Sequence, residues 1–176
     1  MRSHRLALRP AYTIVEILIV LLVLAIAAAI VIPNIGSAND SQAIAAGAIL
    51  QSDLEVTRSM AMATQVPYSL VFSPDRQSYK VVANYGGGAY AAATAINHPV
   101  NKGKPYEVRL SGLNGMSQVS VTSAAFGGLP GLPYVTFLSL GQPTAGGSIV
   151  LGVGQVTVTV SVEAMTGIVS VTRVGT

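Results

Sequence analysis

From residue 17 to residue 32 the chain carries no polar side chain: Ile17-Leu-Ile-Val-Leu-Leu-Val-Leu-Ala-Ile-Ala-Ala-Ala-Ile-Val-Ile32. A run that is apolar all round has no water-facing side, so it reads as a membrane-inserting helix rather than a surface one. Taken back to Tyr12, with Glu16 as its sole charge, the segment spans about 30 Å at ~1.5 Å per residue, enough to cross a bilayer core. Pro33-Asn-Ile-Gly-Ser37 is helix-breaking by composition, yet a helical pattern resumes after it. Ala43, Gly47, Leu50, Leu54, Thr57 and Ala61 recur every three or four residues, while Gln42, Gln51, Asp53, Glu55 and Arg58 fall mostly elsewhere. That spacing predicts an amphipathic helix over 39–64, capped by Asn39 or Asp40. It is the second half of one long helix kinked at Pro33.

At Val66 the period changes to two. Tyr68, Leu70 and Phe72 alternate with Ser69, Val71 and Ser73, and Ser73-Pro-Asp-Arg-Gln77 turns the chain into Ser78-Tyr-Lys-Val-Val-Ala83, a hairpin. The stretch 85–104, with Gly86-Gly-Gly88, reads as a long loop holding one helical turn. Short strands are expected at 106–110, 119–122, 135–138 and 148–151. Val156-Thr-Val-Thr-Val-Ser-Val162 and Gly167-Ile-Val-Ser-Val-Thr172 close the chain as a hairpin with one buried and one wetter face. The fold class is therefore α+β: a long N-terminal helix, one half transmembrane and one half amphipathic, packed on an antiparallel β-sheet domain of one or two sheets.

Charge sharpens the division. Hydrophobic residues make up 51% of the 176 and charged residues only 10%. Arg2, Arg5 and Arg9 precede the apolar run and no acidic residue does. From Tyr12 onward, Arg58, Arg76, Lys80, Lys102, Lys104, Arg109 and Arg173 balance Glu16, Asp40, Asp53, Glu55, Asp75, Glu107 and Glu163. The net charge of +3 thus belongs to the first residues. Basic residues before an apolar helix hold that end in the cytoplasm, which puts the C-terminal domain across the membrane. With no cysteine, that domain must rest on its core alone.

Catalytic chemistry finds no footing in the sequence. Apart from His4 among the basic N-terminal residues, His98, in Ile96-Asn-His-Pro99, is the single histidine and reads as a turn residue. No His pair or acidic cluster has metal-ligand spacing, and no cofactor motif is present. Gly86-Gly-Gly88 lacks the Lys-Ser/Thr of a phosphate loop. Glu107 and Arg109 alternate on a strand as a solvated face. Lys102 with Lys104 is the one local basic cluster, too small for more than weak, salt-sensitive contact with nucleic acid.

The informative junction is Arg9-Pro-Ala-Tyr-Thr-Ile-Val-Glu16, running straight into the apolar helix. It resembles the leader junction of the class III prepilins (the type IV pilin-like family), a Gly followed by a Phe-Thr-Leu-Ile-Glu type motif. Here Ala11 stands for the glycine and Tyr12 for the phenylalanine, and Pro33 matches the family's helix-interrupting proline. The resemblance implies a leader over 1–11, cut between Ala11 and Tyr12 by prepilin peptidase, with N-methylation at Tyr12. It implies a transmembrane helix over 12–35 and a periplasmic domain over 36–176, whose β-rich part is 66–176. Glu16, fifth in the mature chain, would pair with a neighbouring subunit's terminal amine during assembly. Such a pairing makes two charges tolerable in an apolar filament core.

Leu50 to Phe72 and the closing strands further resemble H-type minor pseudopilins of type II secretion and FimT-type minor pilins. The implied function is structural, not enzymatic: a minor subunit of a type II secretion pseudopilus or type IV pilus. Its partners would be other subunits, the peptidase and the inner-membrane assembly platform. Three other readings remain open at this level: a major pilin, a minor pilin that binds DNA for uptake, and a secreted protein cut after Ala27-Ala-Ala29.

Overall fold

The structure, a computed structural model, describes residues 12–31, 34–128 and 132–174. Ala11 and Pro33, and with them the cleavage junction's leader side and the kink, lie outside the described residues. Two compact units emerge, one ending at Ala38 and one starting at Asn39.

In the first, α1 (Ile14–Val31) is built from the apolar run. Its 18 residues rise about 27 Å. Among the described residues, no helix is long and apolar enough to cross a membrane; the apolar run itself goes on to Ile32.

The second unit is α+β. It begins within α2 (Asn34–Thr64) and continues into eight strands. Strands β1 (Tyr68–Phe72), β2 (Ser78–Ala83), β3 (Glu107–Arg109) and β5 (Tyr134–Phe137) form one antiparallel sheet in the order β3-β2-β1-β5. Strands β4 (Ser120–Phe126), β6 (Gly147–Val153), β7 (Val156–Val162) and β8 (Val169–Val174) form a second, in the order β4-β6-β7-β8. One apolar core joins α2 to both sheets.

The stripe Ala43, Gly47, Leu50, Leu54, Thr57 and Ala61 is the buried face of α2. Its small residues have a physical reason. A Cβ on Gly47 would lie 2.8 Å from Val158 Cγ1 and 3.3 Å from Val171 Cγ1, so the helix presses on β7 and β8 where no side chain fits. The helix starts earlier than the sequence suggests. At Asn39 and Asp40 it is already under way, so neither residue caps it, and Asp40 instead pairs with Arg173 of β8.

In β7 the alternation holds: Val158, Val160 and Val162 are buried while Thr157, Thr159 and Ser161 are half-buried. In β1 it does not. Ser69 and Val71, on the face opposite Leu70 and Phe72, are buried too. Ser69 and Thr136 satisfy each other there, Oγ to Oγ1, at 2.7 Å. On β2, the 85–104 segment covers Lys80, the residue paired with Val71. Lys80, only 7% exposed, donates from Nζ to the Ala93 carbonyl at 2.5 Å and sits 4.0 Å from the centre of the Tyr90 ring. A buried ammonium needs such partners. The helical turn in this segment is a 3-10 turn at Tyr90–Ala92.

Candidate functional site

The N-terminal end of α1 is set by Thr13. Its hydroxyl oxygen accepts the Glu16 N–H at 3.2 Å, and its carbonyl accepts the Ile17 N–H at 3.2 Å. Threonine is a favoured N-cap because its side chain satisfies a backbone donor that the first helical turn leaves free. Tyr12 therefore stands outside the helix, 75% exposed. Glu16 sits in the first turn, exposed, where the helix dipole favours a carboxylate. Thr13-Ile-Val-Glu16 has the spacing of a capping box, a signal legible in the sequence that the assembly reading passed over.

Beyond Glu16 the helix offers nothing but apolar surface. Ile17, Leu18, Ile19, Val20, Leu21 and Leu22 are all between 48% and 61% exposed, so every side of the helix is open. A contiguous apolar surface of this kind marks a site of contact with protein or lipid. No polar face exists to orient it toward water.

In the domain, α2 is fastened to the sheets by polar contacts on the flanks of its buried stripe. Asp53 accepts two hydrogen bonds, from the Tyr79 hydroxyl to Oδ2 at 2.5 Å and from the Tyr106 hydroxyl to Oδ1 at 2.8 Å. Tyr79 is fully buried and Tyr106 is 2% exposed. Burial, then the adjacent Asp53 carboxylate, pushes the Tyr79 phenol well above its ordinary value, and Tyr106 is raised by the same causes. Both phenols therefore stay protonated and act as donors. Arg58 Nε donates to the Gly141 carbonyl at 2.9 Å, tying α2 to the loop between β5 and β6. Sequence reasoning placed Asp53 and Arg58 with the polar side of the helix, away from the packing. No signal separated Asp53 from Glu55, because its partner Tyr106 lies 53 positions away.

The remaining candidates are structural. His98 Nδ1 accepts the N–H groups of Val100 and Asn101 at 3.1 and 3.2 Å, and its ring lies 4.3 Å from that of Tyr106, as suits a turn histidine. Glu107 accepts from the Tyr90 hydroxyl at 3.0 Å. Arg109 faces Asp75 at 3.5 Å across an exposed turn. The Asp75 carboxyl is held below its usual range by the Ser73 hydroxyl and the Gln77 N–H, which close the turn after β1. Lys102 and Lys104 are exposed. Among the described residues, no group of His, Cys, Asp or Glu could hold a metal ion.

With this geometry in view, comparisons with known proteins agree. The family model described as Type II transport protein GspH matches residues 46–166, from the buried face of α2 to the turn after β7. Among solved structures, the minor pseudopilin EpsH from the Type 2 Secretion System of Vibrio cholerae shares the fold, with a TM-score of 0.54 and 11% identity. That match covers 77% of this chain and 99% of EpsH. The type IV minor pilin FimU of Pseudomonas aeruginosa aligns with a TM-score of 0.50 and 11% identity, over 77% of this chain and 90% of FimU. No curated protein matches significantly. The chain shares its fold with these minor pseudopilin and minor pilin structures and belongs to the GspH family of type II transport proteins.

Proposed function

We propose that the chain is a minor subunit of a type II secretion pseudopilus or type IV pilus, assembled through its apolar N-terminal helix. In this reading prepilin peptidase removes residues 1–11 at Ala11/Tyr12 and Tyr12 becomes N-methylated. The segment 12–35 then holds the subunit in the inner membrane, with the domain 36–176 in the periplasm. The assembly platform and neighbouring subunits draw the helix from lipid into a filament core. Pro33 supplies the kink between the membrane part and the amphipathic part.

One observation carries the proposal: α1 is apolar and exposed on every side, yet has a carboxylate in its first turn beside an exposed Tyr12. Lipid or like helices can cover the apolar surface, but neither explains the charge. A neighbour's terminal amine does, because two opposite charges removed from water are tolerable only as a pair. The Thr13 cap offers a rival, purely local reason for Glu16, and the two are separable by substitution. Glu16→Gln keeps a side chain able to complete the cap but removes the charge; Glu16→Leu removes both. If amine pairing governs, both variants reach the membrane at wild-type levels and both cross-link poorly to filament partners. The loss is below the ~3–5 kcal/mol of a fully buried unpaired charge, since an amine at the membrane boundary reaches some water. Wild-type incorporation of Glu16→Gln would sink the pairing. The DNA-receptor reading has only the exposed Lys102 and Lys104 in its favour, and no basic face around them.

A further inference from the structure

The chain contains one Asn-Gly step, Asn114-Gly115, and it lies in an exposed turn. Asn34, Asn39, Asn84, Asn97 and Asn101 are followed by Ile, Asp, Tyr, His and Lys. The difference matters because a side-chain amide can be attacked by the backbone nitrogen of the next residue, and a Cβ on that residue shields the nitrogen. Glycine has none. At Gly115 the surrounding space is also empty: a Cβ built there would meet nothing within 4 Å. Among the described residues, neither the Asn114 side chain nor the Gly115 N–H has a hydrogen-bond partner.

We propose that Asn114-Gly115 is a site of spontaneous, enzyme-independent deamidation in the folded protein. The Gly115 nitrogen, having lost its proton to base, attacks Cγ of Asn114. The N–Cγ bond forms, the Cγ–Nδ2 bond breaks, and ammonia leaves with the proton returned from solvent. Water then opens the five-membered imide at one of its two carbonyls. One opening gives aspartate, the other isoaspartate, in which the main chain runs through the former side chain. No oxidant, metal or second protein is needed.

The turn sets the rate. It spans residues 113–116 and is closed by one hydrogen bond, from the Met116 N–H to the Leu113 carbonyl at 3.0 Å, with Gly115 at φ +77°. Ring closure requires the peptide after Asn114 to rotate, which breaks that bond. An exposed turn held by a single bond opens locally without global unfolding. The product has consequences, because the same turn delivers Met116 and Val119, 8% and 2% exposed, to the core. An isoaspartate lengthens the main chain there by one carbon and adds a negative charge to a chain that is formally neutral from Tyr12 onward.

The test incubates the full-length protein, in detergent, at mildly alkaline pH without denaturant, and maps peptides by mass over time. The expected result is a gain of about 1 Da, amide to acid, at Asn114 ahead of every other asparagine, with both aspartate and isoaspartate recovered. The rate should rise with pH and lie below that of the urea-unfolded chain. Gly115→Ala should suppress the product. Should the positive φ make that variant misfold, Asn114→Gln keeps the glycine and disfavours the attack, because the ring it would form has six members. Deamidation confined to the unfolded chain, or spread evenly over the other asparagines, would overturn the proposal.

Discussion

The Asp53 clamp carries a quantitative prediction about what fixes α2 to the first sheet. Replacing Asp53 by Ala removes the acceptor of both the Tyr79 and Tyr106 hydroxyls, which lie 2.5 and 2.8 Å away on side chains 0% and 2% exposed. A buried donor left without a partner costs about 1–3 kcal/mol. Two such donors set a gross loss of about 2–6 kcal/mol. Asp53 is itself only half-buried, so water can enter behind it and the upper end will not be reached. Alanine is also the better helix former, by about 0.5 kcal/mol, which offsets part of the loss. The net expectation is about 2–4 kcal/mol.

The assay is urea unfolding of the fragment 36–176, which carries its whole core within one compact unit and is expected to fold as a monomer. The decisive arm repeats Asp53→Ala in a Tyr79→Phe/Tyr106→Phe background. There no hydroxyl is orphaned, and the same substitution should cost below about 1 kcal/mol. Equal costs in the two backgrounds would refute the clamp, and so would a loss under about 0.5 kcal/mol in the parent.

Three further outcomes follow from the same structure. Both clamp phenols are raised in the folded state, so above about pH 10 the unfolded chain releases protons first. Stability should be unaffected by them at neutral pH and fall above about pH 10, by up to ~1.4 kcal/mol per pH unit for each tyrosine; a flat profile to pH 11.5 would contradict this. Gly47→Val puts a branched side chain where even a Cβ lies 2.8 Å from Val158, so it should destabilise by about 1–3 kcal/mol despite ending a helical glycine; a midpoint at or above that of the parent would mean that β7 and β8 yield freely. Glu16→Gln and Glu16→Leu should both reach the membrane and fail at incorporation, as read by cross-linking at matched levels.

Much of the architecture was legible because its signals are local. The hairpin of β1 and β2, the closing hairpin of β7 and β8, and the buried stripe of α2 all show in hydrophobic spacing alone. What the sequence hid depends on distant partners. Ser69 reads as a solvent-facing position until Thr136 is placed beside it. Strand β4 runs on to Phe126 rather than stopping near Thr122 because its Ser123-Ala-Ala stretch, weak in β-propensity, is held by pairing with β6. The N-terminal site divides in the same way. Order and spacing in the sequence single out Glu16 and Tyr12 as the proposed processing and assembly residues, and Thr13 could have been read as the cap. The packing role of Asp53 could not, since it exists only once two tyrosines from other elements converge on it.

Processing at the proposed leader, with the apolar helix kept for assembly, can be read from the N-terminal mass of the protein extracted from bacterial membranes. The mature chain should start at Tyr12, carry one methyl group on its amine, and retain the whole 17–32 run. A chain starting near Ala29 or later would mean that the apolar segment is discarded as a signal peptide. An uncut chain from Met1 in assembled filaments would equally rule out processing at Ala11/Tyr12.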